Sequence, residues 1–177
     1  LLSPPRPRQL DGLLDVDPNL GITRLTWLRR GATAATPEVL KAEIDKLLWC
    51  DQLILQFPLW WFSVPAIMKG WIDRVFANGT VYGAGGMRFE NGGLKGRRAM
   101  IAATTGCFPN MMEPDGLLGD KDVIFWHLHH GTFGYSGLAA LPPFLAWSIH
   151  YTDDAQRAAY LDAYAERMRT LEATASM

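Results

Sequence analysis

The residues with the most chemical content sit in two short turns. Trp60, Trp61 and Phe62 lie inside QFPLWWFSVPAIMKGWIDRVF, residues 56–76, between an apolar run and a helical pattern. Thr104, Thr105, Gly106 and Cys107 close a second apolar run, AMIAATTGC, residues 99–107. Connections usually carry small polar residues that satisfy their own backbone. Three adjacent large rings have two physical explanations: they plug one end of the core, or they wall a flat apolar ligand. The second turn supplies what the first lacks, hydroxyls and backbone N–H groups over a small, glycine-containing curve. Apolar walls beside polar donors suit a heteroaromatic ring such as a flavin.

Other chemically suggestive residues carry less. HLHHG supplies His127, His129 and His130, and residues 127 and 130 share a helical face. A metal site needs further ligands at suitable spacing, and the neighbours are poor ones, so no metal is expected. GAGG at 83–86 does not follow a strand and open a helix, so it is no dinucleotide fingerprint. Cys107 reads as a small packing residue, having no partner in view that would activate a thiol. Trp27, Trp49, Trp126 and Trp147 read as core or interface.

The elements that must position the two turns follow from periodicity. Residues 22–28, ITRLTWL, read as a strand. Thr36-Pro37-Glu38 opens a helix with a cap, a proline at the first helical position and an acid near the positive end, and its stripe is Leu40, Ile44, Leu47 and Leu48. LILQF, 53–57, barely alternates, as expected of a strand covered on both faces. A helix starts near Pro65, with Ser63 as a candidate cap and Ile67, Met68, Trp71, Ile72, Val75 and Phe76 on one face, and Asn78-Gly79 ends it. The glycine-rich stretch 80–97 is a long excursion. A buried strand over 99–105, a helix over 121–136 and an interrupted strand over 138–149 follow. Asp153 with Gln156 resembles a capping box for a last helix with the stripe Leu161, Tyr164, Met168 and Leu171. Alternating strands and helices predict βαβ units and a parallel sheet, whose ligands sit at the carboxyl ends of its strands. The strand ends near Phe57 and Thr105 should therefore lie side by side.

The bulk numbers agree. The chain has 177 residues, of which 49% are hydrophobic and 20% charged, so a core is possible and one domain over 1–177 is expected. A net charge of −1 gives no general attraction for nucleic acid or anionic lipid. The two cysteines, Cys50 and Cys107, read as reduced thiols of a cytoplasmic protein. No run reaches the roughly 18 apolar residues of a membrane span. LLSPPRPRQL at the start does not read as a signal peptide.

DQLILQFPLWWFSVPAIMKGWIDRVFANGTVYGAGG, with GLKGRRAMIAATTG and GLAALPPFLAWSI after it in the same order, resembles the NAD(P)H:quinone oxidoreductases of flavodoxin-like fold. That group includes short bacterial members that act as ancillary subunits of potassium-efflux systems. The similarity covers roughly residues 36–165. It implies an α/β, doubly wound parallel sheet of order 2-1-3-4-5, a homodimer, and FAD or FMN at the interface. It also implies hydride transfer from NAD(P)H to a quinone-like flat acceptor by a ping-pong route. Under the resemblance Pro58, Leu59, Trp60, Trp61 and Phe62 flank the flavin ring. Thr104, Thr105, Gly106 and Cys107 face its polar edge, and Tyr82 matches a tyrosine that reaches into the partner's site.

Two places depart from the family pattern. Its first strand and phosphate loop, resembling AHPxPxSFNxAL, align with LLSPPRPRQLDGLL, so most of the first strand is missing from the quoted chain. Pro4, Gln9, Leu10 and Asp11 stand where the loop has His, Ser, Phe and Asn. Gln9, Leu10 and Asp11 thus keep the place of the phosphate contacts with poorer chemistry, which Arg6 or Arg8 would offset. Met112 and Leu118 stand where animal members place a tyrosine and a histidine as proton partners. No catalytic residue is assigned; Glu113 is a weak candidate. These departures motivate an alternative reading, a regulatory or binding module of the same fold with impaired flavin binding.

Overall fold

The structure is a computed structural model that describes residues 38–177. The expected strand at 22–28, the phosphate-loop residues Gln9, Leu10 and Asp11, and Trp27 lie outside the described residues.

Among the described residues the chain runs α1 (Glu38–Trp49), β1 (Gln52–Pro58), α2 (Ala66–Val75), β2 (Arg98–Thr104), α3 (Lys121–Leu128), β3 (Ala139–Ala140), β4 (Phe144–Ala146) and α4 (Asp154–Arg169). β1 pairs with β2 in parallel, from Gln52 opposite Arg98 to Pro58 opposite Thr104. β3 and β4 both pair in parallel with β2 on its other side. They are two pieces of one interrupted strand, split where Pro142 and Pro143 offer no N–H to a ladder. Three parallel positions joined by helical crossovers match the last three of the expected five. The first two positions are not among the described residues.

Alternation along β2 explains why both faces are covered. Ala99, Ile101 and Ala103 point into one cluster with Leu47, Leu55, Phe57, Ile72, Val75, Phe125, Leu128 and Phe133. Met100 and Ala102 point the other way, to Leu141, Leu171, Phe144 and Tyr164. Full burial of one such aliphatic or aromatic side chain stabilises by about 1.5–3 kcal/mol, so the near absence of polar residues in this strand is a packing requirement. The excursion between α2 and β2 is also tied to its own chain. A Cβ on Gly92 would lie 2.3 Å from the Ser136 backbone, and one on Gly93 2.1 Å from the Thr80 carbonyl oxygen.

Several local expectations need correction. α2 ends at Val75, where the Phe76 N–H closes on the Ile72 carbonyl, three residues before Asn78-Gly79. Gly79 instead serves the next turn, at φ 81°. Ser63 caps nothing: the residue before α2 is Pro65, and no side chain bonds to the first turn. The helix expected over 121–136 begins as α3, capped by the Asp120 carboxylate, and continues as a π-helix over His129–Gly134. Leu161 is 71% exposed and so leaves the expected stripe; Tyr164 and Met168 are partly buried, and Leu171, which lies two residues beyond α4, is buried. Trp49 is exposed at the end of α1 and Trp126 is exposed on α3, so neither is core. The Asp153 cap holds, its carboxylate accepting from the Gln156 N–H at 2.7 Å.

Candidate functional site

β1 and β2 end level with one another, so the chain segments that leave them are neighbours. The Leu59 N–H donates to the Thr104 carbonyl at 2.9 Å, which extends the ladder one step into the turns. Beyond it the β1 segment folds on itself. Trp60 and Ser63 exchange main-chain bonds of 3.1 and 3.0 Å, and Trp61 and Phe62 between them have φ 51° and 60°. Positive φ at both central positions is the mirror-image hairpin turn that favours Asn and Gly. Two bulky rings in this backbone cost about 1–2 kcal/mol each. Trp61 is nevertheless 95% exposed and Phe62 47% exposed, so burial of their rings does not offset that cost within the described residues. Among the described residues these rings do not plug the core, and the strain is the kind that clusters where a ligand is held.

The β2 segment is the opposite. Thr105 is buried, and its hydroxyl donates to the Cys107 carbonyl at 3.1 Å. Its N–H donates to the Ala146 carbonyl, and its own carbonyl accepts from Ile149. The Ser148 N–H and hydroxyl both reach the Cys107 carbonyl at 3.0 Å. The Thr105 side chain is thus turned inward and offers a ligand no hydroxyl. Thr104 is exposed at the same edge. Cys107 is half-buried and packs against the core, as expected of a small packing residue.

The polar donors come from the backbone. No partner occurs among the described residues for the N–H groups of Trp61, Phe62, Gly106 and Cys107. Trp61 and Phe62 are the central residues of an exposed turn, where N–H groups are left to solvent, and with Gly106 and Cys107 they put two pairs of accessible donors on adjacent turns beside apolar walls. A flat ring with carbonyl oxygens and acceptor nitrogens fits this arrangement. Pro58, Leu59, Trp60, Trp61, Phe62, Thr104, Gly106 and Cys107 are all at this edge.

A cavity of about 390 Å³ opens from the same strand ends, lined by Pro58, Thr104, Ile149, Arg157, Tyr160 and Leu161 among others. Four of these were missed by the sequence reading. The available signal was Leu161, an apolar residue that α4 leaves at its surface. Arg157 pairs with Asp154 at 2.8 Å, and both side chains are well solvated, so this pair is worth little to stability and leaves the guanidinium reachable. Tyr164 lies deeper, donating to the Gln56 side chain at 3.1 Å, and burial raises its phenol above the usual range, so it stays neutral.

The positions where the family resemblance puts proton partners carry no acid or base, as expected. Met112 is only 1% exposed, and neither it nor Leu118 has a transferable proton. Glu113 is exposed, after a short 3-10 turn, and no side-chain bond ties it to the two turns. Tyr82 packs on Tyr135 of its own chain, ring centroids 5.7 Å apart. His127 and His130, read as a polar patch, have specific contacts. His127 Nε2 lies 3.2 Å from the Ser63 hydroxyl, and His130 stacks on Trp126 at 4.7 Å. Among the described residues no group of three or more His, Cys, Asp or Glu could hold a metal ion.

The family model described as flavodoxin-like fold matches residues 10–170. The chain belongs to that family. Among flavodoxin-like proteins, a relative from Penicillium crustosum, the ribosyldihydronicotinamide dehydrogenase-like protein traD, is 39% identical over 139 residues, which cover 75% of this chain and 51% of the relative. The NAD(P)H dehydrogenase [quinone] 1 of Rattus norvegicus is 35% identical over 136 residues, covering 77% of this chain and 49% of its own length. A solved structure from Klebsiella pneumoniae, described as that of a quinone reductase, superposes with a TM-score of 0.82 at 42% identity, covering 86% of this chain and 61% of that one. The chain therefore spans about half the length of these curated relatives.

Proposed function

We propose that this flavodoxin-like chain is the flavin-binding part of an oxidoreductase that moves hydride from NAD(P)H to quinones or similar flat acceptors. The observation that carries the reading is the level pairing of two turns, one walled by exposed rings and the other tied to residues 146–149, with four N–H groups that have no partner among the described residues. The relatives' printed activities support it. FAD or FMN, when bound, supplies the ability to accept and return a hydride.

The chain's own residues would bind and orient. Trp60, Trp61 and Phe62 give the ring apolar contact, and the N–H groups of Gly106 and Cys107 fix its polar edge. The cavity beside Pro58 and Thr104 has room for the rest of the cofactor, where Arg157 would meet phosphate charge, with Gln9, Leu10 and Asp11 as the weaker contributors. One apolar slot over the ring, visited by donor and acceptor in turn, would account for ping-pong exchange and broad acceptor choice. With Met112 and Leu118 unable to exchange protons, solvent water or Glu113 would serve.

The same reading includes one domain over 1–177, a homodimer completed near Tyr82 and the 79–93 excursion, and a cytoplasmic location. No described helix is long and apolar enough to cross a membrane. A membrane-transporter partner rests on the family resemblance alone. A second reading, a regulatory module with weak flavin binding, is favoured by Asp11 and by the buried Met112. The visible spectrum of the purified chain, followed by titration with FMN and FAD, separates the two. A flavin absorption band that travels with the protein, or saturable binding on titration, supports the oxidoreductase. Neither band nor binding overturns it in favour of the module.

A further inference from the structure

Ser63 and His127 are 64 residues apart, yet their side chains meet at 3.2 Å. Ser63 is the last residue of the strained turn, and with no helix to cap its hydroxyl is available. His127 lies near the end of α3, and its ring orientation is set locally. Its Nδ1 is 2.9 Å from the Ile124 carbonyl, which only accepts, so Nδ1 carries the proton. In the neutral ring Nε2 is then the acceptor, and the Ser63 hydroxyl donates to it.

The helix that carries His127 is itself braced. Immediately after α3 the backbone changes to a π-helix, a form that often marks functional positions. Thr132 donates its hydroxyl to the His127 carbonyl at 3.3 Å. His130 stacks on Trp126 and lies 5.2 Å from Phe89 of the glycine-rich excursion. His127 is therefore attached to a packed assembly, whereas the turn it touches holds two rings in left-handed backbone with two main-chain bonds of its own.

We infer that His127 is a positioning residue that clamps the aromatic turn through Ser63, holding Trp60, Trp61 and Phe62 in the shape a flat ligand needs. The clamp rests on the proposed function only for the identity of that ligand. An exposed hydrogen bond of this kind changes a local equilibrium by about two- to tenfold.

The test measures amide hydrogen exchange in the ligand-free chain by NMR, at Trp60 and Ser63, whose N–H groups close the turn. His127→Leu and Ser63→Ala should each speed exchange there by about two- to tenfold. The double variant should be no faster than either single one, because both remove one bond. His127→Gln, which places an amide acceptor near the position of Nε2, should restore the parent rate. Amides of β2 should not change in any variant. FMN titration of the same set should show weaker binding by a similar factor. Parent rates in both single variants, additive effects in the double variant, or a uniform rise across the chain would each overturn the clamp. If the parent binds no FMN while the exchange pattern holds, the flavin reading falls and the clamp stands.

Discussion

The turn after β1 sets two bulky rings in left-handed backbone, closed by two main-chain bonds and one side-chain contact. The turn after β2, one strand away, buries Thr105 and is bonded to residues 146–149 through both its main chain and Ser148. The first has given up local stability to expose apolar surface, and the second has used its side chains to hold backbone donors still. Binding a planar ring needs both: a fixed polar edge to set orientation, and a wall that can adjust to the ring and to whatever lies over it. The contrast also says where damage will be felt. Changes in the second turn should act on stability, and changes in the first on ligand affinity, with stability moving the other way.

The largest effect should come from neither turn, and it sets the scale for both. Gln9→Ser with Asp11→Asn restores two polar contacts to phosphate. Hydrogen bonds to a charged group contribute about 1.5–3 kcal/mol each, so FMN or FAD should bind more tightly by roughly two to four powers of ten. Calorimetric titration should give the same factor in a Trp61→Asn background if the ring and the phosphates are held independently. Low-nanomolar binding by the parent, with no gain in the variant, would show that the ring-side turns already suffice.

Thr105→Val with Ser148→Ala removes two hydroxyl donors from the Cys107 carbonyl and leaves it the Ser148 N–H. At about 1 kcal/mol each, thermal unfolding should start roughly 4–8 °C lower. An unchanged Tm would mean that the second turn is not the rigid member of the pair.

Trp61→Asn tests the first turn in the opposite direction. The ring is 95% exposed, so little burial is lost, and Asn tolerates the left-handed conformation better. Stability should rise by about 1 kcal/mol, or roughly 2–4 °C in Tm, while FMN affinity drops by about tenfold through loss of aromatic contact. A fall in Tm would show that the turn is not strained at Trp61.

Much of this was legible from residues 53–57 and 99–105, because a strand buried on both faces leaves an uninterrupted apolar run, and the turns beyond it announce themselves by ring size and by glycine. The limits were equally physical. Positive φ at Trp61 and Phe62 has no signature in a sequence that lacks Asn and Gly there. Leu161 fitted a helical stripe, and only the placement of α4 beside a cavity showed that its face had turned outward. The use of Ser63 by His127 joins residues that no periodicity relates. The helix expected over 121–136 keeps those ends, but its change to π geometry over His129–Gly134 leaves no mark in the periodicity.

A finer probe of the contrast is pH, through His129 on the helix that carries His127. His129 is buried between Phe125 and Phe133, and its Nε2 has no hydrogen-bond partner among the described residues. Burial holds its imidazolium below the ordinary value of 6.5; Asp122 opposes that shift and the nearby His127 adds to it. The folded chain therefore keeps His129 neutral, while the unfolded chain takes up a proton as pH falls through about 6.5. Stability from this group is complete above the unfolded value and is lost as pH drops toward the lower folded one. Thermal melts between about pH 7.5 and 5.5 should show the parent losing Tm on acidification, and His129→Leu, which keeps an apolar side chain at the site, losing less. Amides of Trp60 and Ser63 should loosen over the same range before that of Thr105, because among the described residues the first turn is hydrogen-bonded to this helix through His127 whereas Thr105 is bonded to residues 146–149. Parallel Tm profiles for parent and variant would remove His129 from the account, and simultaneous loosening of both turns would erase the distinction between the adjustable wall and the fixed edge.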